Sequence, residues 1–314
     1  MKRVVSVSLG SSKRDHTVQV ELLGQKFEIS RLGTDGDIHK AIKMLKELDG
    51  DVDAIGLGGI DVYLYAGRNR YVIQDGLRLL RAVRVTPVVD GSGLKNTLER
   101  QTVEYLAQQG LLRSGNKVLL VSAMDRFGMA EALEKMGCQL TLGDLMFTLG
   151  IRFPIYSLDK LQGVAAKLMP LVSRLPFQMI YPTGGQQDNH RRAKAARFAG
   201  YYHEAEVLAG DYHLIRKYLP EKLNGQIIIT NTTTLADVEL LRERGASCLV
   251  TTTPEFRGRT FGTNVMEAVF LVLLGKNWSE ATREDYVRLL QELNWRPKLL
   301  RFQEESGKPL KVLQ

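Results

Sequence analysis

The chain is short of the residues that mark several protein classes. Among its 314 residues are 2 cysteines, 2 tryptophans and 9 prolines. Two thiols, Cys138 and Cys248, cannot build a disulfide framework or a zinc site by themselves. Both sit in apolar stretches, as buried thiols of a reducing cytoplasm would. No apolar run approaches the ~18–20 residues that span a bilayer, and the longest, 265–274, carries Glu267. The opening MKRVVSVSL is charged and then apolar, but too short for a signal peptide, and it lacks an A-x-A site, so it reads as a first strand. Neither H-x-x-x-H nor H-E-x-x-H occurs, nor does the P-loop string or the G-x-S-x-G elbow. Metal, nucleoside-triphosphatase and α/β-hydrolase chemistry therefore lack sequence support.

What remains is an ordinary globular composition, 44% hydrophobic and 25% charged, with length for about two domains. Lys and Arg number 43 against 35 Asp and Glu, a net charge of +8. The basic residues are scattered, with modest clusters at Lys13-Arg14, 78–84 and 190–197, and no nucleic-acid module accompanies them. Solvated helix faces explain such a balance, and so does a small anionic ligand, which is the partner expected here. Nucleic acid and membrane are not expected, and a homodimer is left open.

The hydrophobic pattern predicts an α/β fold. Residues 1–112 read as a mixed α/β domain for substrate. Alternating runs around Gly24 suggest a hairpin, Asp37 can cap a helix over 38–48, and a buried strand ends in Gly58-Gly59. From 113 to 260, apolar strands at 118–122, 139–142, 177–181, 206–209, 227–230 and 248–252 alternate with helices. That is the signature of a doubly wound parallel sheet, a Rossmann-like nucleotide-binding domain. Residues 261–314 read as C-terminal helices packing back, with a surface tail from Arg296.

The segment 118–144 carries the most specific chemistry. A dinucleotide fold wants a strand, a turn whose amides and helix dipole hold a pyrophosphate, and an acidic residue about 20 positions on for the ribose hydroxyls. Asp144 has that placement. Against G-x-G-x-x-G the turn reads Ala123-x-Asp125-x-x-Gly128, so only the third glycine survives. Asp125 would place a carboxylate beside a phosphate unless Arg126 compensates. The alternative is that Gly128 and Ala123 serve packing while Asp125 caps the helix, or that another adenosine-containing ligand such as S-adenosylmethionine is held.

Other loops offer ligand groups. Asp90-Gly91-Ser92-Gly93-Leu94-Lys95 follows a strand and opens a helix. Ser92 and Gly93 would line an oxyanion seat, and Lys95 could act as general acid or base. His190 lies at a strand-to-helix turn. Thr232 and Thr252 end neighbouring strands, where hydroxyls suit a ribose, nicotinamide or carboxylate. Arg259 and Asn264 flank a glycine-bearing turn before a helix, a plausible anion cradle. Each of these also has a bland reading as a helix cap or solvated loop.

The strings VSVSLGSSKRD, VVDGSGLK, DRFGMAEAL and FGTNV resemble bacterial proteins labelled quinate/shikimate 5-dehydrogenase-like, through most of the chain. The resemblance implies an NAD- or NADP-dependent oxidoreductase acting on a secondary alcohol of a cyclic polyol or hydroxy acid. By it, Lys95 transfers the hydroxyl proton, Asp90 orients Lys95, and Asp144 holds the adenosine ribose. The glycine-rich turn and the Asn-Thr-Asp string of shikimate dehydrogenases are absent here. A ligand-binding or regulatory protein, or a transferase with an adenosine cofactor, stands as the alternative.

Overall fold

The computed structural model describes residues 1–176, 192–253, 255–256, 259–260 and 262–302, without the side chains of 192–196, 255–256 and 259–260. Among these, two compact units emerge. The first holds Met1–Thr97, 166–176 and 262–295; the second holds Leu98–Ala165, the described residues of 192–260, and 296–302. The sequence reading put the boundary at 112, in the Gly110–Gly115 linker; the division instead falls within a helix. Contacts rather than linker composition define the units.

The first unit is built on a five-stranded sheet in the order β2-β3-β1-β4-β7. These strands are β1 (Lys2–Ser8), β2 (His16–Leu22), β3 (Gln25–Gly33), β4 (Ala54–Gly58) and β7 (Val88–Val89). β3, β1, β4 and β7 run parallel, and β2 pairs antiparallel with β3. The β2–β3 turn has positive φ at Leu23 and Gly24, the geometry that matches hairpin twist. A second hairpin joins β5 (Tyr63–Ala66) to β6 (Asn69–Val72). Helix α1 (Ile38–Leu48) starts where Asp37 accepts hydrogen bonds from the amides of His39 and Lys40, and it buries Ala41 and Leu45. Full burial of Leu45 contributes about 2 kcal/mol. Short α2 (Gln74–Leu80) follows, and α3 (Ser92–Gln108) leads from this unit into the next.

The second unit has a six-stranded sheet in the order β15-β12-β11-β10-β8-β9. Its members are β8 (Lys117–Leu120), β9 (Gln139–Leu142), β10 (Val207–Ala209), β11 (Ile227–Thr230), β12 (Cys248–Thr251) and β15 (Lys298–Arg301). All but β15 are parallel. Their centres, such as Leu119, Leu208, Ile228 and Leu249, are fully buried, as expected of strands covered on both faces. The interleaved helices are α4 (Phe127–Lys135), the first half of α5 (Leu158–Val172), α6 (Arg192–Glu204), α7 (Tyr212–Lys217) and α8 (Leu235–Glu243); α5 from residue 166 on belongs to the first unit. The chain adds β9 on one side of β8 and then crosses to β10 on the other. The strand order therefore reverses between β8 and β10, the place where doubly wound sheets open a crevice.

Two details differ from the sequence reading. Residues 144–148, for which no element was expected, form a π-helical turn, and Phe147 within it joins an aromatic cluster with Phe198, Tyr202 and Tyr218 at centroid separations of 5.2–5.9 Å. The expected surface tail includes β15, whose Leu299 and Leu300 pair with Val250 and Leu249. The strand expected at 177–181 lies outside the described residues. After the β13–β14 pair (Glu255–Phe256, Arg259–Thr260), α9 (Thr263–Leu274) and α10 (Arg283–Glu292) return to the first unit, where α9 packs on β4 and β1. No helix of the described residues is long and apolar enough to cross a membrane.

Candidate functional site

In the first unit, chemistry gathers at the carboxyl ends of β4 and β7 and the start of α3. Asp61 follows the Gly58-Gly59 bend after β4. Lys95 lies on the first turn of α3. Lys95 Nζ donates to Asp61 Oδ1 at 2.7 Å, with the two side chains 8% and 15% exposed. Asp90 does not have the orienting role expected of it. Its Oδ2 accepts from the amides of Val62 (2.8 Å) and Tyr63 (3.1 Å), and its Oδ1 accepts from Ser92 N (3.0 Å). Asp90 stands two residues before Ser92, the first residue of α3, and holds its amide, so it shapes the α3 entry while Asp61 pairs with the lysine.

The oxyanion seat expected at Ser92 and Gly93 is filled from within. Glu267, fully buried on α9, lies against this helix start: a Cβ placed on Gly93 would sit 2.4 Å from Glu267 Oε1. Tyr286 of α10 donates its hydroxyl to the same oxygen at 2.8 Å. Glu267 Oε2 is buried without a hydrogen-bond partner. Burial, reinforced by the negative charge of Asp90, pushes the Glu267 carboxyl up to about 8. Asn264, expected to bind an anion, donates from Nδ2 to Ser6 Oγ at 2.7 Å and so pins α9 to β1.

In the second unit, Ala123, Asp125, Arg126 and Gly128 line the turn from β8 into α4, and the turn is crowded with the protein's own charges. Arg126 donates from Nη1 to Glu99 Oε1 (2.8 Å), from Nε to Asp125 Oδ2 (3.0 Å) and from Nη2 to Asp211 Oδ2 (3.4 Å). Its side chain is 3% exposed, and those of Glu99, Asp125 and Asp211 are 1%, 3% and 14% exposed. Asp125, expected to line the cofactor turn or else to cap the helix, is an ion-pair partner of Arg126, and α4 has no side-chain cap. Asp144, expected to face a ribose, instead accepts from the amides of Ala123 (3.1 Å) and Met124 (2.9 Å). Thr232 is half-buried, whereas Thr252 is fully buried with its hydroxyl unpartnered. His190 and the Arg259 side chain lie outside the described residues. Among the described residues no cluster of His, Cys, Asp and Glu could hold a metal.

Lys95, Asp90, Ser92, Gly93 and Asn264 thus belong to one unit, and Ala123, Asp125, Arg126, Gly128, Asp144, Thr232 and Thr252 to the other. The sequence reading missed Asp61, Glu267 and Tyr286 in the first, and Glu99 and Asp211 in the second. A charged residue inside the apolar run 265–274 was the available signal for Glu267.

Several solved structures resemble the chain at low similarity. Glutamate dehydrogenase from Thermus thermophilus is 15% identical with a TM-score of 0.42, covering 93% of this chain and 74% of that one. A galactofuranose binding protein is 12% identical with a TM-score of 0.38, covering 94% and 99%. A glucose-galactose binding protein from Geobacillus stearothermophilus is 10% identical with a TM-score of 0.39, covering 98% and 99%. No curated protein matches the chain. Residues 3–90 match a family described as a domain of unknown function (DUF8753). Residues 93–302, well over half of the chain, match a second, described as a domain of unknown function (DUF8754), and the chain belongs to that family.

Proposed function

We propose that the first unit holds a small hydroxylated molecule against the Lys95–Asp61 pair and that Lys95 moves a proton on it. One observation carries this reading: a lysine ammonium and a carboxylate 2.7 Å apart, both largely out of solvent, at the strand ends of a parallel sheet. The carboxylate partner fixes the direction of the lysine's N–H groups, and a lysine held in place out of solvent can pass a proton to or from a bound hydroxyl. The resemblance to quinate/shikimate 5-dehydrogenase-like proteins supports a secondary alcohol of a cyclic polyol or hydroxy acid as the group acted on. In that reading Lys95 takes the hydroxyl proton as its neutral amine and returns it as the ammonium in the reverse direction, with Asp61 orienting it.

The residues at the β8–α4 turn do not fit NAD or NADP, because the amides that would meet a pyrophosphate are bonded to Asp144. This favours a second reading, in which the chain binds its ligand without hydride chemistry. Quinate, shikimate and inositol, each offered with NAD or NADP, separate the two. Formation of reduced nicotinamide that disappears in Lys95→Met supports the dehydrogenase. Calorimetric binding of one of these polyols without turnover, lost in Lys95→Met, supports the binding protein. Neither turnover nor binding would remove this ligand class.

A further inference from the structure

The second unit contains an anion seat whose occupant is already present. Gly143 N donates to Leu120 O at 2.8 Å, which carries the β8–β9 pairing one residue past Leu142 and delivers Asp144 to the β8–α4 turn. Two carboxylate oxygens then meet two successive amides, Oδ2 on Ala123 N and Oδ1 on Met124 N. This is the arrangement a phosphate would adopt at the turn leading into a helix. Burial raises the Asp144 carboxyl to about 6 and the two amides oppose that rise, so at neutral pH the group sits there ionised.

The surrounding charge agrees. The cation nearest in sequence, Arg126, is engaged by Glu99, Asp125 and Asp211. An incoming pyrophosphate would meet the carboxylates of Asp125 and Asp144 with that arginine already neutralised.

We infer that Asp144 is the resident anion of the Ala123–Met124 amide seat, and that the second unit takes no nucleotide pyrophosphate at this turn while Asp144 is in place. The inference rests on the second unit alone and is independent of the acid–base reading of the first. The opposite role, Asp144 grasping a ribose, predicts the opposite response to its removal, so the sign of the effect decides.

The test is an ADP titration of the wild-type chain and of Asp144→Ala, read by hydrogen exchange at the Ala123 and Met124 amides. In the wild type both amides are expected to be protected without ligand and unchanged by millimolar ADP. In Asp144→Ala both should exchange faster, and ADP should restore protection with an apparent affinity at least about tenfold above wild type. Added protection of the wild type by ADP, weaker ADP binding in the variant, or no gain in the variant would each overturn the inference. Should Asp144→Ala fail to fold, Asp144→Asn keeps the side-chain shape while removing the charge. It is expected to loosen both amides and to gain ADP affinity in the same direction; no change in either would count as the same refutation.

Discussion

Lys95 and Asp61 are 34 positions apart in the chain, yet their charged atoms meet at 2.7 Å, with little solvent to screen them. A pair so placed is held together partly by the cost of separating it, since removal of one partner takes away a close counter-charge from a desolvated group. Asp61→Ala is expected to destabilise the chain by about 3 kcal/mol. The double change Lys95→Met with Asp61→Leu should recover most of that loss. Urea denaturation of Asp61→Ala, Lys95→Met and the double variant measures both; additive losses would show that the pair is not coupled.

Glu267 gives a pH dependence with a definite sign. Its carboxyl titrates near 4.5 when unfolded and about 8 when folded, so the folded state retains the proton longer. Its contribution to stability is therefore fully present at low pH and is lost progressively as the pH climbs from about 4.5 to about 8. Glu267→Gln can still accept from Tyr286 and carries no charge. It should flatten this slope and exceed the wild type at pH 8 by on the order of 3 kcal/mol, with no such advantage near pH 4. Melting curves across that range check it.

Arg126 pairs with three carboxylates at once, Glu99, Asp125 and Asp211, and its side chain is almost wholly buried. Arg126→Met should cost about 4 kcal/mol, because three carboxylates lose their common counter-charge. Arg126→Lys should recover only a fraction, since a single ammonium cannot reach three acceptors in the fork geometry of a guanidinium. Denaturant midpoints of the two variants, compared with the wild type, test the ranking.

Thr234 caps α8 by a reciprocal arrangement. Its hydroxyl accepts from the Asp237 amide, and the Asp237 side chain accepts from the Thr234 amide at 2.9 Å. Thr234→Ala should cost about 1 kcal/mol and leave the sheet unaltered. A loss well above that, by chemical denaturation, would mean that the residue does more than cap.

Much of the fold was legible because its signals are local. The α1 helix, its Asp37 cap, the hairpin at Gly24 and the strand–helix alternation after residue 117 follow from periodicity and turn residues read in short windows. The candidate sites were legible by position but not by partner. Lys95 stands out by following two glycines and a strand, whereas nothing local links it to Asp61. Asp144 was found by its spacing from the turn, yet spacing does not tell whether a carboxylate faces outward to a sugar or backward onto an amide. Glu267 reaches the α3 start only through the return of α9, a long-range contact with no short-window trace. Leu299 and Leu300 lie in a basic segment, so the edge strand they form was hidden by composition.

The interrupted make-up of the two units bears on how the chain is synthesised. The first unit draws on residues up to 97 and again on α9 and α10, while the second draws on β15 later still. A ribosome that has just released residue 260 has completed neither. The early sheet must wait, its β4 surface still without α9, while more than half the polypeptide emerges. Folding of both units is therefore expected to finish only after the residues of β15 have left the ribosome.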